Sequence, residues 1–250
     1  MQVVVDSLLT QYEVQGKGNL VVLLHGWGDS TKGLGGLQKA LSSSFRVIAI
    51  DLPGFGGTQA PEEVWGLDDY AQFVAHFLKK IEAPQVMLLV GHSNGGAIAV
   101  RGLSRNWLQA DKLVLLASAG IRGEYRGRVK ALRMMTKAGK ALTQPLPKGV
   151  KERLRKRVYS TVGSDMLVAE HLQETFKKVV ADDVRADAGQ LLLPVLLIYG
   201  ENDTATPVRF GELLHENIDG STLEILPGAG HFVHIDRAAA VVKAIEDFAA

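Results

Sequence analysis

The stretch that decides the fold is V-M-L-L-V-G-H-S-N-G-G, which runs from Val86 to Gly96. Its first five residues form an apolar run of strand length, and a small-residue pattern typical of a helix begins after Ser93. Residues 91–95 fit G-x-S-x-G, in which a serine is held on a tight turn between a strand and a helix. Such a turn needs glycine two residues either side of the serine, because a side chain there would collide with the returning chain. The turn aims the helix N-terminus at the serine hydroxyl, so Ser93 is predicted to be a nucleophile rather than part of an ordinary turn.

Strands and helices alternate outward from this stretch. Aliphatic runs occur at 20–24, 45–50, 112–117, 192–199 and 222–226, and helical spacing occurs at 34–41, 67–81, 208–216 and 237–248. Continuous aliphatic runs are typical of strands covered on both faces. The pattern therefore predicts an α/β fold with a mostly parallel, doubly wound sheet. Two short β patterns within residues 1–16 predict an antiparallel hairpin before the main sheet.

The alternation stops in the middle of the chain. Residues 119–191 contain helical patterns and many charges but no convincing strand. We expect this segment to be a helical lid (cap), inserted after the sixth strand over the carboxyl ends of the strands, where open α/β sheets bind ligands. The core domain would then comprise residues 1–118 and 192–250.

Composition narrows the functional classes. The chain has 250 residues, 46% of them hydrophobic, which is enough for a large core. It has no cysteine, which excludes disulfides and thiolate catalysis, and its net charge of +1 gives no indication of nucleic-acid binding. The N-terminus does not resemble a secretory signal, and no apolar run has the length of a membrane span. We expect a cytoplasmic protein, monomeric or homodimeric.

A serine nucleophile requires a base, and a histidine base requires an acid to orient it. Two later strand ends offer these groups. Asp203 follows the 192–199 run, with Glu201 as an alternative acid, and His231 follows the 222–226 run, with His234 as an alternative base. The chain order of serine, acid and histidine is the order expected for the G-x-S-x-G arrangement.

Five motifs together resemble the α/β-hydrolase superfamily, most closely its small lidded esterases and C–C hydrolases. They are G-H-S-N-G-G (91–96), H-G-W-G-D-S (25–30), D-L-P-G-F-G (51–56), G-E-N-D-T-A-T-P (200–207) and G-A-G-H-F-V-H-I-D (228–236). The resemblance implies that Ser93 is the nucleophile, Asp203 the orienting acid and His231 the base. It also implies an oxyanion hole made by the backbone N–H groups of Trp27 and Asn94.

Other residues of these motifs have plainer interpretations. His25 and Asp51 match recurring positions that indicate loop scaffolding, and His92 is interpreted as a packing residue inside the turn. The Trp27 side chain is expected to border the pocket. Where the family commonly has proline after the acidic residue at 236, this chain has Arg237, which alters the start of the last helix and leaves the triad unchanged.

The resemblance implies a serine hydrolase that cleaves a small carboxylic ester through an acyl-enzyme. Two alternatives remain open: a C–C bond hydrolase or cofactor-free lyase using the same triad, and a ligand receptor that retains the fold. No metal-ligand cluster or phosphate loop is present in the sequence, so no metal and no cofactor are expected.

The predicted lid is strongly basic. Residues 121–158 contain 13 lysines and arginines against two glutamates, 13 − 2 = +11, in a chain whose total is +1. A solvated outer face is the simple explanation. The alternative is that the basic segment contacts an anionic substrate or an anionic membrane surface.

Overall fold

The main feature of the fold is one eight-stranded sheet. The computed structural model describes residues 1–83, 85–122 and 170–250. The strands in these ranges are β1 (Gln2–Val5), β2 (Leu8–Gln15), β3 (Leu20–Leu24), β4 (Arg46–Ile50), β5 (Leu88–His92), β6 (Lys112–Leu116), β7 (Val195–Gly200) and β8 (Thr222–Leu226). Their order in the sheet is β1-β2-β4-β3-β5-β6-β7-β8. The first two strands form the predicted antiparallel hairpin, β2 is antiparallel to β4, and all later pairs are parallel.

Helices connect the strands. Those described are α1 (Thr31–Leu41), α2 (Leu67–Lys80), α3 (Asn94–Ser104), α4 (Gln173–Val180), α5 (Arg185–Ala188), α6 (Val208–Asn217), α7 (Val233–Asp236) and α8 (Ala238–Ala249). A 3-10 turn at Glu170–Leu172 precedes α4. None of these helices is long and apolar enough to cross a membrane.

The central strands are covered on both faces, which confirms the doubly wound prediction. In β3, Val22 and Leu24 belong to one buried cluster, together with residues of α2 and α3. Val21 and Leu23 belong to a second cluster, together with residues of α1 and α8. Every side chain of β3 is therefore buried, which is why its sequence is continuously aliphatic rather than alternating.

Several element boundaries differ from the sequence prediction. Strand β5 was expected to end before Gly91, but extended pairing continues to His92, opposite Leu116 of β6. Strand β7 begins at Val195 rather than near Leu192, because Pro194 has no N–H for the ladder. The last helix begins at Ala238 and is preceded by the separate four-residue helix α7.

The described parts of the predicted lid are its two ends. Residues 123–169 lie outside the described residues, and the described remainder between β6 and β7 contains the 3-10 turn, α4, α5 and no strand. The two ends are hydrogen-bonded to each other. The Val184 N–H donates to the Gly120 carbonyl at 2.8 Å, and the Arg122 N–H donates to the Asp183 carboxylate at 3.1 Å.

Candidate active site

Ser93 occupies the sharp turn between β5 and α3. Its backbone has φ 50° and ψ −116°. Residues other than glycine rarely adopt a positive φ. The turn is held by backbone bonds on both sides: the Ser93 N–H donates to the Leu116 carbonyl at 3.0 Å, and the Ser93 carbonyl accepts from Ala119 at 2.9 Å. Strain kept in this way by surrounding bonds is typical of functional turns.

The glycines around Ser93 are required by close backbone approach, as the sequence predicts. A Cβ at Gly91 would lie 2.5 Å from the Gly96 Cα. A Cβ at Gly95 would lie 2.3 Å from the carbonyl oxygen of Leu24. Only glycine lets α3 start directly against the ends of β3 and β5.

The loop after β3 lies against Ser93. A Cβ built on Gly26 would be 3.1 Å from the Ser93 Cβ, so Gly26, the residue before Trp27, lies beside the turn. His25 is fully buried and shapes this loop: its Nδ1–H donates to the Gly26 carbonyl at 2.7 Å, and its Nε2 accepts from the Leu52 N–H at 2.9 Å. His25 therefore holds the loop in the scaffolding role that the sequence indicates.

Asp51 also has a scaffolding position. Its carboxylate accepts from the Thr31 N–H at 2.6 Å, at the start of α1, and from the Gly57 N–H at 2.7 Å. These bonds fix the loop after β4 next to the loop after β3. Both loops belong to the same carboxyl edge of the sheet as Ser93.

Asp203 and His231 are brought together at the ends of β7 and β8. The His231 Nδ1–H donates to Asp203 Oδ2 at 2.8 Å. The alternative acid Glu201 instead accepts from the Gly228 N–H at 2.9 Å. The alternative base His234 is 3% exposed, whereas 20% of the His231 side chain is exposed, so His231 is the more accessible of the two predicted bases.

The Asp203 carboxylate is fully buried and saturated with donors. Its Oδ1 accepts the N–H groups of Ala205 and Thr206 at 2.7 and 2.9 Å, and its Oδ2 accepts from the Thr206 hydroxyl at 2.7 Å. Burial alone would raise the pKa of Asp203, but the bonds from His231 and Thr206 outweigh it and hold that pKa below its usual value. Asp203 is therefore ionised and can orient His231.

Thr206 is a functional candidate that no motif in the sequence indicated. Its Oγ1 lies 2.7 Å from Asp203 Oδ2, 3.1 Å from His231 Nδ1 and 2.8 Å from the Ala117 carbonyl oxygen. The sequence feature that could have identified Thr206 is its position three residues after the acid. At this spacing an Asp side chain accepts hydrogen bonds from nearby backbone and hydroxyl groups.

Replacing Thr206 with valine is expected to lower kcat about tenfold, because Asp203 loses a donor and orients His231 less well. Thr204→Val is the matched control, since Thr204 is exposed. Ester turnover of both variants measures the effect. Equal kcat for the two variants would contradict the role given to Thr206.

Buried histidines surround the site. His92 is 2% exposed, and its ring centroid lies 4.9 Å from that of His231 and 4.7 Å from that of His234. Burial, and then the proximity of His234 and His231, lower the pKa of His92 well below its usual value. Burial also lowers the pKa of His25 and of His234. All three are therefore neutral at neutral pH.

This neutrality predicts a pH dependence of stability. A buried histidine with a lowered pKa binds its proton later than the unfolded chain does, so stability is lost as pH falls below about 6.5. His92→Phe removes one such group, and the slope of the unfolding free energy between about pH 6.5 and 5 should decrease by up to about 1.4 kcal/mol per pH unit. Urea unfolding at several pH values measures it. An unchanged slope in the variant would refute the neutral, buried assignment.

Trp27 joins the loop after β3 to the returning end of the predicted lid. Its ring lies 4.9 Å from Phe55 and 5.1 Å from Phe176 of α4. Helix α4 is also tied to the core, because the Trp65 N–H donates to the Thr175 hydroxyl at 3.2 Å. Trp27 is half-buried, and the expectation that its side chain borders the pocket stays a prediction.

Among the residues described, there is no group of three or more His, Asp or Glu side chains arranged to hold a metal ion. The histidines next to Ser93 pack ring against ring instead.

The fold and the turn at Ser93 define a class of protein. The model of the alpha/beta hydrolase family matches residues 21–244 of the chain. The chain belongs to this family, and the resemblance drawn from its five motifs is confirmed.

Individual relatives and solved structures are also similar to the chain. The chain is 29% identical over 244 residues to the pimeloyl-[acyl-carrier protein] methyl ester esterase of Neisseria meningitidis serogroup C, covering 91% of this chain and 92% of the relative. Among solved structures, the enol-lactonase from Burkholderia xenovorans LB400 matches with a TM-score of 0.77 and 22% identity, covering 99% of both chains. The meta-cleavage product hydrolase from Pseudomonas fluorescens IP01 matches with a TM-score of 0.75 and 22% identity, covering 99% of this chain and 96% of the other. The two structural matches show the fold alone.

Proposed function

We propose that the protein is a serine hydrolase that cleaves a carboxylic ester through an acyl-enzyme. The observation that carries this proposal is the 2.8 Å bond between the His231 Nδ1–H and the buried Asp203 carboxylate. This bond sets the tautomer of His231 with a free Nε2, the form a general base needs. Ser93 occupies the strained turn after β5. The residue before it, His92, is in ring contact with His231.

In the proposed reaction, Ser93 Oγ attacks the ester carbonyl carbon while His231 Nε2 accepts the hydroxyl proton. The N–H groups of Trp27 and Asn94 donate to the oxygen that becomes negative, a contribution of about 3–4 kcal/mol per donor in comparable sites. His231 then gives the proton to the departing alkoxide, which leaves as the alcohol. Water attacks the acyl-enzyme, again with His231 as base, and releases the acid and Ser93.

The ester class is supported by sequence similarity. The relative at 29% identity is named a methyl ester esterase, and it covers nearly the whole chain. The same triad on this fold also serves C–C bond cleavage, and a receptor can retain it without turnover. A small-molecule ester is therefore the proposed substrate, and these alternatives are outcomes of the test below.

The test is a substrate panel with the purified full chain. It should contain short and medium p-nitrophenyl esters, methyl esters of mono- and dicarboxylic acids, and a meta-cleavage product. Multiple turnover of esters, exceeding that of the C–C substrate, is the expected result. Faster cleavage of the meta-cleavage product would favour the C–C hydrolase, and a single slow turnover of every ester would favour a receptor.

The basic segment at 121–158 suggests that the substrate or a nearby membrane surface is anionic. Its charge of +11 comes from the sequence, and all of it beyond Arg122 lies outside the described residues. A positive field raises the local concentration of an anion and is screened within about 8–10 Å near physiological salt.

This charge predicts a salt effect on turnover. Between low salt and about 0.3 M salt, kcat/KM for a carboxylate-bearing ester should fall at least about threefold more than for a neutral ester of equal acyl length. Co-sedimentation with anionic and neutral vesicles tests the membrane alternative. Equal salt sensitivity of both esters, with no vesicle binding, would mean that the segment is only a solvated surface.

A further inference from the structure

His92, between Gly91 and Ser93, makes a specific contact with the loop that carries the proposed base. Its Nε2–H donates to the backbone carbonyl of His231 at 3.1 Å. His92 is the last residue of β5, so this bond ties the strand before Ser93 to residue 231 itself. The sequence interpretation of His92 as a packing residue did not include this bond.

The surroundings of the ring select one tautomer. Nδ1 of His92 is buried and has no hydrogen-bond partner among the residues described. Moving the proton to Nδ1 would leave a buried N–H unpaired and turn the Nε2 lone pair toward the His231 carbonyl oxygen, both of which cost free energy. The neutral Nε2–H form is therefore the one that fits.

The ring also fills the space between two loops that flank Ser93. A Cβ built on Gly26 would lie 3.0 Å from His92 Nδ1, so the loop after β3 packs on one side of the ring. The ring of His92 also contacts the rings of His231 and His234, with centroids at 4.9 and 4.7 Å. A movement of His92 would therefore reach both loops.

Two other bonds of the loop that carries His231 lead to other elements. The Asn202 N–H donates to the Ala229 carbonyl at 2.8 Å, which ties the loop to the end of β7. The Gly230 N–H donates to the Asp236 carboxylate at 2.8 Å, which ties it to α7. The bond from His92 adds the tie to β5, the strand that leads directly into Ser93.

We propose that His92 is a positioning residue: by donating its Nε2–H to the His231 carbonyl, it sets the distance between His231 and Ser93. This inference rests on the proposed serine hydrolase function. His92 does not exchange a proton with substrate, and its effect reaches the reaction only through the placement of His231. Misplacing a catalytic group by about 1 Å can lower the rate about 100-fold. A single hydrogen bond that fixes the backbone at His231 can therefore matter for turnover.

The first test uses the wild-type protein and needs no turnover. The chain has seven histidines, a number that ¹⁵N-histidine NMR can resolve, and the signal lost in His92→Phe assigns His92. We expect the neutral Nε2–H tautomer near neutral pH, since burial opposes a charge on the ring. An Nδ1–H tautomer would overturn the proposal.

The second test compares three variants in ester turnover. His92→Phe keeps a ring but has no donor, and its kcat should fall about 10- to 100-fold with KM changed less than about twofold. His92→Gln retains an N–H donor and should restore most of kcat. His234→Phe, a matched change in the neighbouring buried ring, should keep kcat within about twofold of the wild type.

Two results would overturn the positioning role: wild-type kcat in His92→Phe, or an equal loss in His92→Phe and His92→Gln. An equal loss in His234→Phe would also overturn it, because ring packing would then explain the effect. Thermal unfolding of each variant separates these losses from unfolding. Should the wild type hydrolyse no ester, the proposed function fails, while the tautomer measured by NMR still decides whether the His92 bond exists.

Discussion

Replacing Ser93 with alanine is expected to lower ester turnover by about 10⁵- to 10⁶-fold while the protein stays folded. Members of a nucleophile–base–acid set act as a unit, and loss of the serine or the histidine alone removes nearly all of their joint effect. His231→Ala should therefore match Ser93→Ala, and Asp203→Ala should lose about 10⁴-fold, since it only orients the base. Initial rates with a p-nitrophenyl ester and circular dichroism of each variant provide the measurement.

The matched control for this series is Ser118→Ala. Ser118 is a buried serine just after β6 whose hydroxyl donates to the Ala119 carbonyl at 3.1 Å, so its loss should leave most of the turnover. If Asp203→Ala kept its activity while Glu201→Ala lost it, only the acid would have been assigned wrongly. If Ser93→Ala retained wild-type turnover, the whole assignment would be wrong.

The largest expected effect on stability comes from Arg101 in α3. Its guanidinium, 9% exposed, bonds three carboxylates: Asp68 of α2, Asp182 after α4 at 2.9 Å and Asp187 of α5 at 3.0 Å. Asp187 is only 5% exposed, and it also accepts from the Ser104 hydroxyl at 3.0 Å. These bonds join the returning end of the predicted lid to two core helices.

Arg101→Met should lower the free energy of unfolding by about 3–5 kcal/mol, because it leaves the buried carboxylate of Asp187 without its main cation. Urea unfolding measures the change. The matched control is Arg105→Met, since Arg105 is 52% exposed and lies 3.5 Å from the same carboxylate. The control should cost no more than about 1 kcal/mol. Similar losses in both variants would contradict the view that burial makes the Arg101 contacts important.

Features that depend on strand burial and on close backbone approach could be predicted from the sequence. Strands buried on both faces must be aliphatic throughout, so the runs containing β3 and β6 were visible without any structure. The turn at Ser93 was visible because close backbone approach at Gly91 and Gly95 admits no Cβ. The family resemblance carried the remaining expectation, that Asp203 and His231 come together across two strand ends.

Other features depend on contacts between residues distant in the chain. The bond from His92 to the His231 carbonyl spans 139 residues, and no local pattern indicates it. Thr206 was missed because a threonine in a turn is common, and its importance comes from facing both Asp203 and His231. Helix α7 was missed because four residues are too few to show helical periodicity.

The central claim, that Ser93 is the nucleophile, is tested most directly by covalent labelling. The folded protein is treated with a fluorophosphonate, which reacts with activated serines, and the labelled peptides are identified by mass spectrometry. We predict one adduct per chain, on Ser93, with ester turnover lost in proportion to labelling, and no adduct in Ser93→Ala or in His231→Ala. An adduct on another residue, or full turnover by the labelled protein, would contradict the account.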